Sequence, residues 1–225
     1  SGMSSYLWSD GSTSQSITAS TSGNYAVTVT NGDGCSTTSS ATAITTSSIT
    51  TPNITASGST SICSGSNVTL SVPTGYASYL WSDGSTTNSI SPTTAGDYSV
   101  TVTNADGCST TTTVTSVTVN PLPMASVSSA SGSFDFCDGS SLTLEGPTGS
   151  SGYQWYKDGT ALAGATGATL SATTSGSYAV QVTSSDGCSS LSSSQSVTKN
   201  ALPTATISNA SSLSFCDGGS VVLSA

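Results

Sequence analysis

Three groups of side chains in this sequence have the types and spacing to do chemistry: cysteines, aspartates in Asp-Gly pairs, and aromatics. The six cysteines are Cys35, Cys63, Cys108, Cys137, Cys188 and Cys216. No two stand as Cys-x-x-Cys, so they do not have the spacing of a zinc or redox motif. They suit disulfides formed in an oxidising, extracellular setting. Asp106, Asp138, Asp186 and Asp217 fall where domain ends are expected, and carboxylate oxygens there are weak calcium candidates. The simpler reading is turn chemistry, with Asp accepting local hydrogen bonds and Gly supplying positive φ. It is favoured because no EF-hand loop or dense acidic cluster is present. Tyr76, Tyr79 and Tyr156 have the rings to stack on sugars. Beside Trp81 and Trp155 they read more simply as core or core edge.

Catalysis has little to work with. The chain has no histidine, which excludes Ser-His and Cys-His nucleophiles and every His-containing zinc site. Glu145 is the only glutamate, and the aspartates sit in turn sequences. We expect no enzyme activity, no catalytic residue and no cofactor. Only Lys157 and Lys199 are basic and the net charge is −9, so phosphates would go unneutralised and nucleic acid is not an expected partner. No apolar run reaches the roughly 18 residues of a membrane helix. Asn53-Ile-Thr, Asn67-Val-Thr and Asn209-Ala-Ser match the N-glycosylation triplet.

The elements that would position these residues come from a tandem repeat. Tyr6-Leu7-Trp8-Ser9-Asp10-Gly11 returns as Tyr79-Leu80-Trp81-Ser82-Asp83-Gly84, and in altered form as Tyr153-Gln154-Trp155-Tyr156-Lys157-Asp158-Gly159. Gly-x-Tyr-x-Val-x-Val recurs around Tyr25, Tyr98 and Tyr178. Asp-Gly-Cys ends at Cys35, Cys108 and Cys188, and Cys-(Ser/Asp)-Gly begins at Cys63, Cys137 and Cys216. The period suits a small autonomous domain. The expected division is 1–50 as the back of repeat one, 51–120 as repeat two, 121–200 as repeat three and 201–225 as the front of repeat four. Short proline-containing linkers separate them.

Charged residues are only 6% of the chain, and Ser and Thr make up about two fifths of it, a composition that can signal disorder. Strict alternation of apolar and polar residues, as in Val68-Thr-Leu-Ser-Val72 and Tyr98-Ser-Val-Thr-Val102, argues instead for half-buried strands. The expected fold is all-β. In repeat two, strands are expected near 53–56, 67–72, 78–82, 88–91, 97–103 and 109–119. A tryptophan on the third strand and a tyrosine opening the penultimate one, after Gly, follow the immunoglobulin sandwich. Trp8, Trp81, Trp155, Tyr25, Tyr98 and Tyr178 are the expected core. The usual inter-sheet cystine is absent, its places taken by Val72 and Val100 in repeat two and by Gly146 and Val180 in repeat three.

These motifs together resemble the tandem Ig-like and PKD-like repeats of Bacteroidota cell-surface proteins, including gliding-motility adhesins of the SprB type. Asn120-Pro-Leu-Pro and Asn200-Ala-Leu-Pro match the linkers of that group, and the resemblance spans essentially the whole chain. It implies export by the type 9 route to an extracellular, outer-membrane-attached location. It also implies a linear rod of domains acting as the stalk of an adhesin or filament for gliding or attachment. The alternative is a set of accessory glycan-binding modules in a secreted polysaccharide-degrading enzyme. Expected partners are neighbouring repeats and extracellular polysaccharide. Edge strands almost without lysine also leave lateral self-association open.

Sandwich topology bears on the cysteines. Cys63 precedes its strand and Cys108 follows the penultimate one, so the two lie at opposite ends of one domain, roughly 20 Å apart. A disulfide needs Cα atoms within about 7 Å. Pairing between repeats, Cys63–Cys188, is therefore favoured. Bridges within repeats, Cys63–Cys108 and Cys137–Cys188, remain the alternative.

Overall fold

A computed structural model describes residues 2–209 and 214–225. The Asn209-Ala-Ser triplet and part of the repeat-four front extend into 210–213, outside the described residues. Among the described residues there is no helix. The chain forms two compact units, Ser1–Thr60 with Val68–Val117, and Ser61–Asn67 with Thr118–Ala225.

The first unit begins with β1 (Ser5–Trp8), β2 (Gly23–Tyr25), β3 (Val27–Thr30), β4 (Ser36–Thr38) and β5 (Thr42–Ile44). These form a β1-β3-β4 sheet and a β2-β5 pair. β6 (Thr55–Ala56) follows, and then β7 (Ser61–Cys63), which belongs to the second unit. The first unit continues with β8 (Leu70–Ser71), β9 (Ser78–Trp81), β10 (Ser89–Ile90), β11 (Gly96–Tyr98), β12 (Val100–Thr103) and β13 (Ser109–Thr111). β14 (Thr115–Asn120) is divided between the units. One sheet runs β10-β8-β6. The other is built on β13-β12-β9, with β11 pairing β14. Alternation does what the sequence suggests: Val100 and Val102 on β12 are fully buried, while Thr101 and Thr103 between them are not.

The second unit adds β15 (Ser128–Ser129), β16 (Asp135–Cys137), β17 (Leu142–Glu145), β18 (Gly152–Lys157), β19 (Thr160–Ala161), β20 (Thr169–Ala172), β21 (Gly176–Thr183), β22 (Ser189–Leu191) and β23 (Gln195–Asn200). β24 (Ser208–Asn209) and β25 (Leu223–Ser224) pair with each other. The sheet β15-β17-β20 faces the sheet β16-β23-β21-β18-β19, whose β21 also carries β22. Leu142, Leu144 and Ala172 from the first sheet pack on Phe136, Trp155, Tyr178, Val180, Val182 and Val197 from the second. This is an antiparallel two-sheet immunoglobulin-like sandwich with one parallel pair, β16 on β23.

Two features differ from the strand expectations. Short strands β7 and β16, ending at Cys63 and Cys137, pair in parallel with β14 and β23. The single strand expected over 109–119 is broken into β13 and β14. The break has a chemical cause. Thr112 is buried and its hydroxyl accepts the Val100 amide at 3.1 Å, so a side chain replaces the carbonyl of a continuous ladder. Ser192 does the same for Val180 at 3.0 Å. Thr112→Val keeps the shape but leaves the buried Val100 N–H unpaired, at an expected cost of about 1–3 kcal/mol. A urea titration of this variant against the native chain measures it. An unchanged midpoint would remove the hydroxyl from this role.

Candidate functional site

The recurrent aromatic pair is held the same way in every copy. The indole N–H donates to a carbonyl in the loop after its strand: Trp8 to Ser14, Trp81 to Thr87 and Trp155 to Gly167, at 2.8–2.9 Å. Tyr25, Tyr98 and Tyr178 each donate their hydroxyl to the carbonyl four residues back, on Thr21, Thr94 and Thr174. That is the tyrosine corner of immunoglobulin sandwiches. Trp81, Trp155, Tyr98 and Tyr178 are buried. Trp8 and Tyr25 are only half-buried, because among the described residues no counterpart of β8 or β17 covers them. Gly146 stands where repeat two has Val72. A Cβ there would lie 3.1 Å from the Tyr153 ring, so the ring packs directly against the Gly146 backbone.

The chemistry-bearing centre is the pair of turns that carries the cystine. Cys63 Sγ is bonded to Cys188 Sγ, with Cα atoms 5.5 Å apart and 125 residues of chain between them. Neither Cys63–Cys108 nor Cys137–Cys188 forms, and Cys35, Cys108, Cys137 and Cys216 are free thiols. The turn after Cys63 closes through Ser66 N–H donating to the Cys63 carbonyl at 2.9 Å, with Gly65 at φ 86°. A side chain there would be strained. The other turn closes through Ser184 N–H donating to the Cys188 carbonyl at 2.8 Å. Cys188 is fully buried, so its half of the bridge is shielded from solvent reductants.

The corresponding turn of the first unit grips the segment that leads into repeat two. Asn104 Oδ1 accepts the amides of Asp106 and Cys108, which fixes the turn. Ser47 Oγ then donates to Asp106 Oδ2 at 2.5 Å, Thr51 and Thr110 hydroxyls pair at 2.6 Å, and Tyr76 donates to the Thr50 carbonyl at 3.3 Å. The Cys108 thiol donates to the Ser47 carbonyl at 3.5 Å. Ser47, Asn104 and Thr110 were not among the expected site residues. The signal was the Asn that opens the turn, present as Asn31 and Asn104.

The other expected site residues are dispersed. Asp106 is held by Ser47, while Asp186 and Asp217 are exposed in turns. Among the described residues no three acidic or cysteine side chains converge on one point. Asp138 pairs with Lys199 at 2.6 Å and accepts the Gly139 amide. The hydrogen bond from Lys199, then that amide, then the lysine charge hold its carboxyl below the ordinary carboxylate range. Because the folded-state pKa is depressed, the contact contributes above the ordinary range and is lost as pH falls through the lowered value. Lys199→Met is expected to return the Asp138 pKa part of the way up, since the Gly139 amide remains. A carboxyl-carbon NMR titration reads this. Tyr76 and Tyr79 meet edge to face at 5.9 Å instead of forming a flat platform, and Tyr156 donates to Gln181 Oε1.

No known family model matches the chain, and no curated protein sequence matches it. Solved structures similar to it include a bacterial ice-binding adhesin described for host cell surface retention (13% identity, 90% of this chain and 88% of that one, TM-score 0.38). Murine CEACAM1b is another (14% identity, 66% and 98%, TM-score 0.34). So is SGBP-B of the Bacteroides ovatus mixed-linkage glucan utilization locus, in complex with a mixed-linkage heptasaccharide (17% identity, 95% and 64%, TM-score 0.23). At these TM-scores the likenesses carry no argument about function. The fold assignment rests on the strand pairings and the two-sheet core.

Proposed function

We propose that this chain is a non-catalytic spacer, a rigid run of Ig-like modules in a large secreted cell-surface adhesin or filament. Its modules are the four repeats divided at residues 50, 120 and 200. The parent protein is exported by the type 9 route, attached at the outer membrane, and serves gliding or attachment. One observation carries the reading: the Cys63–Cys188 bridge ties the turn that opens one repeat to a turn of the next, across the intervening proline-containing linker. Hydrogen bonds from 47–51 to the Asn104–Thr110 turn support it, since they hold a second linker without covalent help. A cystine also fits an extracellular site of action.

The mechanism is mechanical. Tension applied to the chain ends passes through the bridge and bypasses everything between its cysteines. Held at Ser1 and Ala225 and pulled, the oxidised chain is expected to keep 125 residues of separation hidden. Reductant should release about 430 Å of extra contour at roughly 3.3–3.6 Å per residue. Force spectroscopy with and without dithiothreitol reads this directly, and equal lengthening in both conditions would sink the force-bypass mechanism. Binding of the 225-residue chain to a glycan array would replace the spacer with the accessory-module reading.

A further inference from the structure

We infer that the Cys63–Cys188 bridge is a one-sided thiol-exchange site: a small thiol enters at Cys63, which takes it up as a mixed disulfide, and Cys188 is released as the free thiol. The consequence for tension rests on the spacer reading above, and the chemistry does not.

The two halves of the cystine differ in access. Cys188 has 0% of its surface exposed. Cys63 is half-buried and opens a turn in which Ser64, Gly65 and Ser66 are all exposed. In exchange, a thiolate attacks one sulfur in line with the S–S bond, from the side opposite the sulfur that leaves. Attack at Cys188 needs room for a nucleophile behind a residue that solvent does not reach. Attack at Cys63 needs room behind a residue that solvent does reach.

Leaving-group chemistry pulls the other way. A thiolate released at Cys188 forms in a buried place and is poorly solvated, so it leaves more slowly than one released at Cys63 would. Access decides between them, because a sulfur that no nucleophile reaches does not react, whatever its leaving group. The outcome is exchange that is slow and confined to one sulfur. The incoming thiolate forms a bond to Cys63 Sγ as the Cys63–Cys188 bond breaks. The electron pair of the broken bond stays on Cys188 Sγ, which takes a proton from water. One disulfide is consumed and one is formed, with the small thiol as the only co-reactant.

Both turns keep their shape without the bond, as their unbridged counterparts show. At Cys63, Ser64 N–H donates to the Asn120 carbonyl at 2.8 Å and Ser66 N–H to the Cys63 carbonyl at 2.9 Å. At the free Cys137, Asp138 N–H donates to the Asn200 carbonyl at 2.8 Å and Ser140 N–H to the Cys137 carbonyl at 3.1 Å. At Cys188, Gly187 N–H donates to the Ser184 carbonyl at 3.1 Å, and at the free Cys108, Gly107 N–H donates to the Asn104 carbonyl at 3.1 Å. Exchange therefore changes the covalent linkage and leaves the local fold. β7 stays paired with β14 through Ser61, Ile62 and Cys63, so the adduct sits on a fixed strand. In a spacer under tension, exchange at Cys63 frees the chain between the two cysteines. When tension ends, the Cys188 thiolate attacks Cys63 Sγ, expels the small thiol and restores the bridge.

The test uses the full chain carrying Cys35→Ser, Cys108→Ser, Cys137→Ser and Cys216→Ser, so that no other thiol takes part. Reduced glutathione is added to the folded, bridged chain, acid stops the reaction at low conversion, and peptides are mapped without reduction. The glutathione adduct is expected on Cys63, and the free thiol on Cys188, trapped by N-ethylmaleimide in denaturant. In urea that unfolds the chain, the bias is expected to vanish and both cysteines to carry adduct. If circular dichroism shows that the four serines prevent folding, the native chain with its free thiols capped by N-ethylmaleimide takes their place. Adduct on Cys188 of the folded chain in equal or greater amount overturns the inference. So does a Cys63 bias that persists in urea, because it would come from the sequence around each cysteine and not from the fold. A folded chain that exchanges at neither sulfur, while the unfolded chain exchanges at both, overturns it too. None of these outcomes bears on the spacer reading, which the pulling experiment tests.

Discussion

Replacing Cys188 by serine is expected to destabilise the second unit by about 4–5 kcal/mol, much of a typical domain margin of roughly 5–15 kcal/mol. The size comes from loop closure. The bridge spans 125 residues, and closing so long a loop in the unfolded chain removes much of its entropy. The cost depends only weakly on which residues unfold. If the first unit stays folded, the part of the second unit between the cysteines is residues 64–67 and 118–187, 74 in all. The logarithm then lowers the contribution by only about 0.5 kcal/mol. Native-state hydrogen exchange of the β21 amides gives the local opening energy and avoids assuming that both units melt together. Cys63→Ser should cost nearly as much as Cys188→Ser, and the double variant little more than either, because one bond is lost in all three. Costs that add would mean that the two sulfurs act separately.

What was legible in the sequence depended on side-chain alternation, and what was hidden depended on backbone or hydroxyl contacts. β12 and β21 were visible because their inward residues, Val100 and Val102 and then Tyr178, Val180 and Val182, alternate with Thr, Ser or Gln at most of the positions between them. The cystine was readable from topology, since a sandwich puts Cys63 and Cys108 at opposite ends. β7 and β16 carry a single inward apolar residue each, Ile62 and Phe136, so no period could show. They are held by parallel pairing to β14 and β23. The break between β13 and β14 turns on one buried hydroxyl among many exposed ones, and composition cannot single out Thr112. The β18–β19 hairpin was better marked. Asp158 and Gly159 sit at φ 50° and 78°, the pair of positive values that an Asp-Gly turn favours. The half-buried state of Trp8 followed from no local signal, because its motif matches that of Trp81 residue for residue and the difference is that no sheet covers it among the described residues.

Trp155→Ala is expected to cost about 3–5 kcal/mol, and it separates two roles that the indole combines. The ring is fully buried among Phe136, Leu142, Leu144, Tyr178 and Val180, so its removal leaves a cavity that two facing sheets cannot close. Its N–H also satisfies the Gly167 carbonyl at 2.9 Å. Trp155→Phe keeps most of the apolar contact and drops the donor, and should cost about 1–3 kcal/mol. Trp8→Ala is the internal control. That indole donates to Ser14 in the same way but lies on an open groove, so its loss removes little buried surface and leaves no enclosed cavity. Urea titrations followed on the amide resonances of β17 and β21 for Trp155, and of β3 for Trp8, give the three values. The expected order is Trp155→Ala, then Trp155→Phe, then Trp8→Ala. Equal costs for the two alanine variants would show that burial between two sheets is not what sets the cost in the second unit.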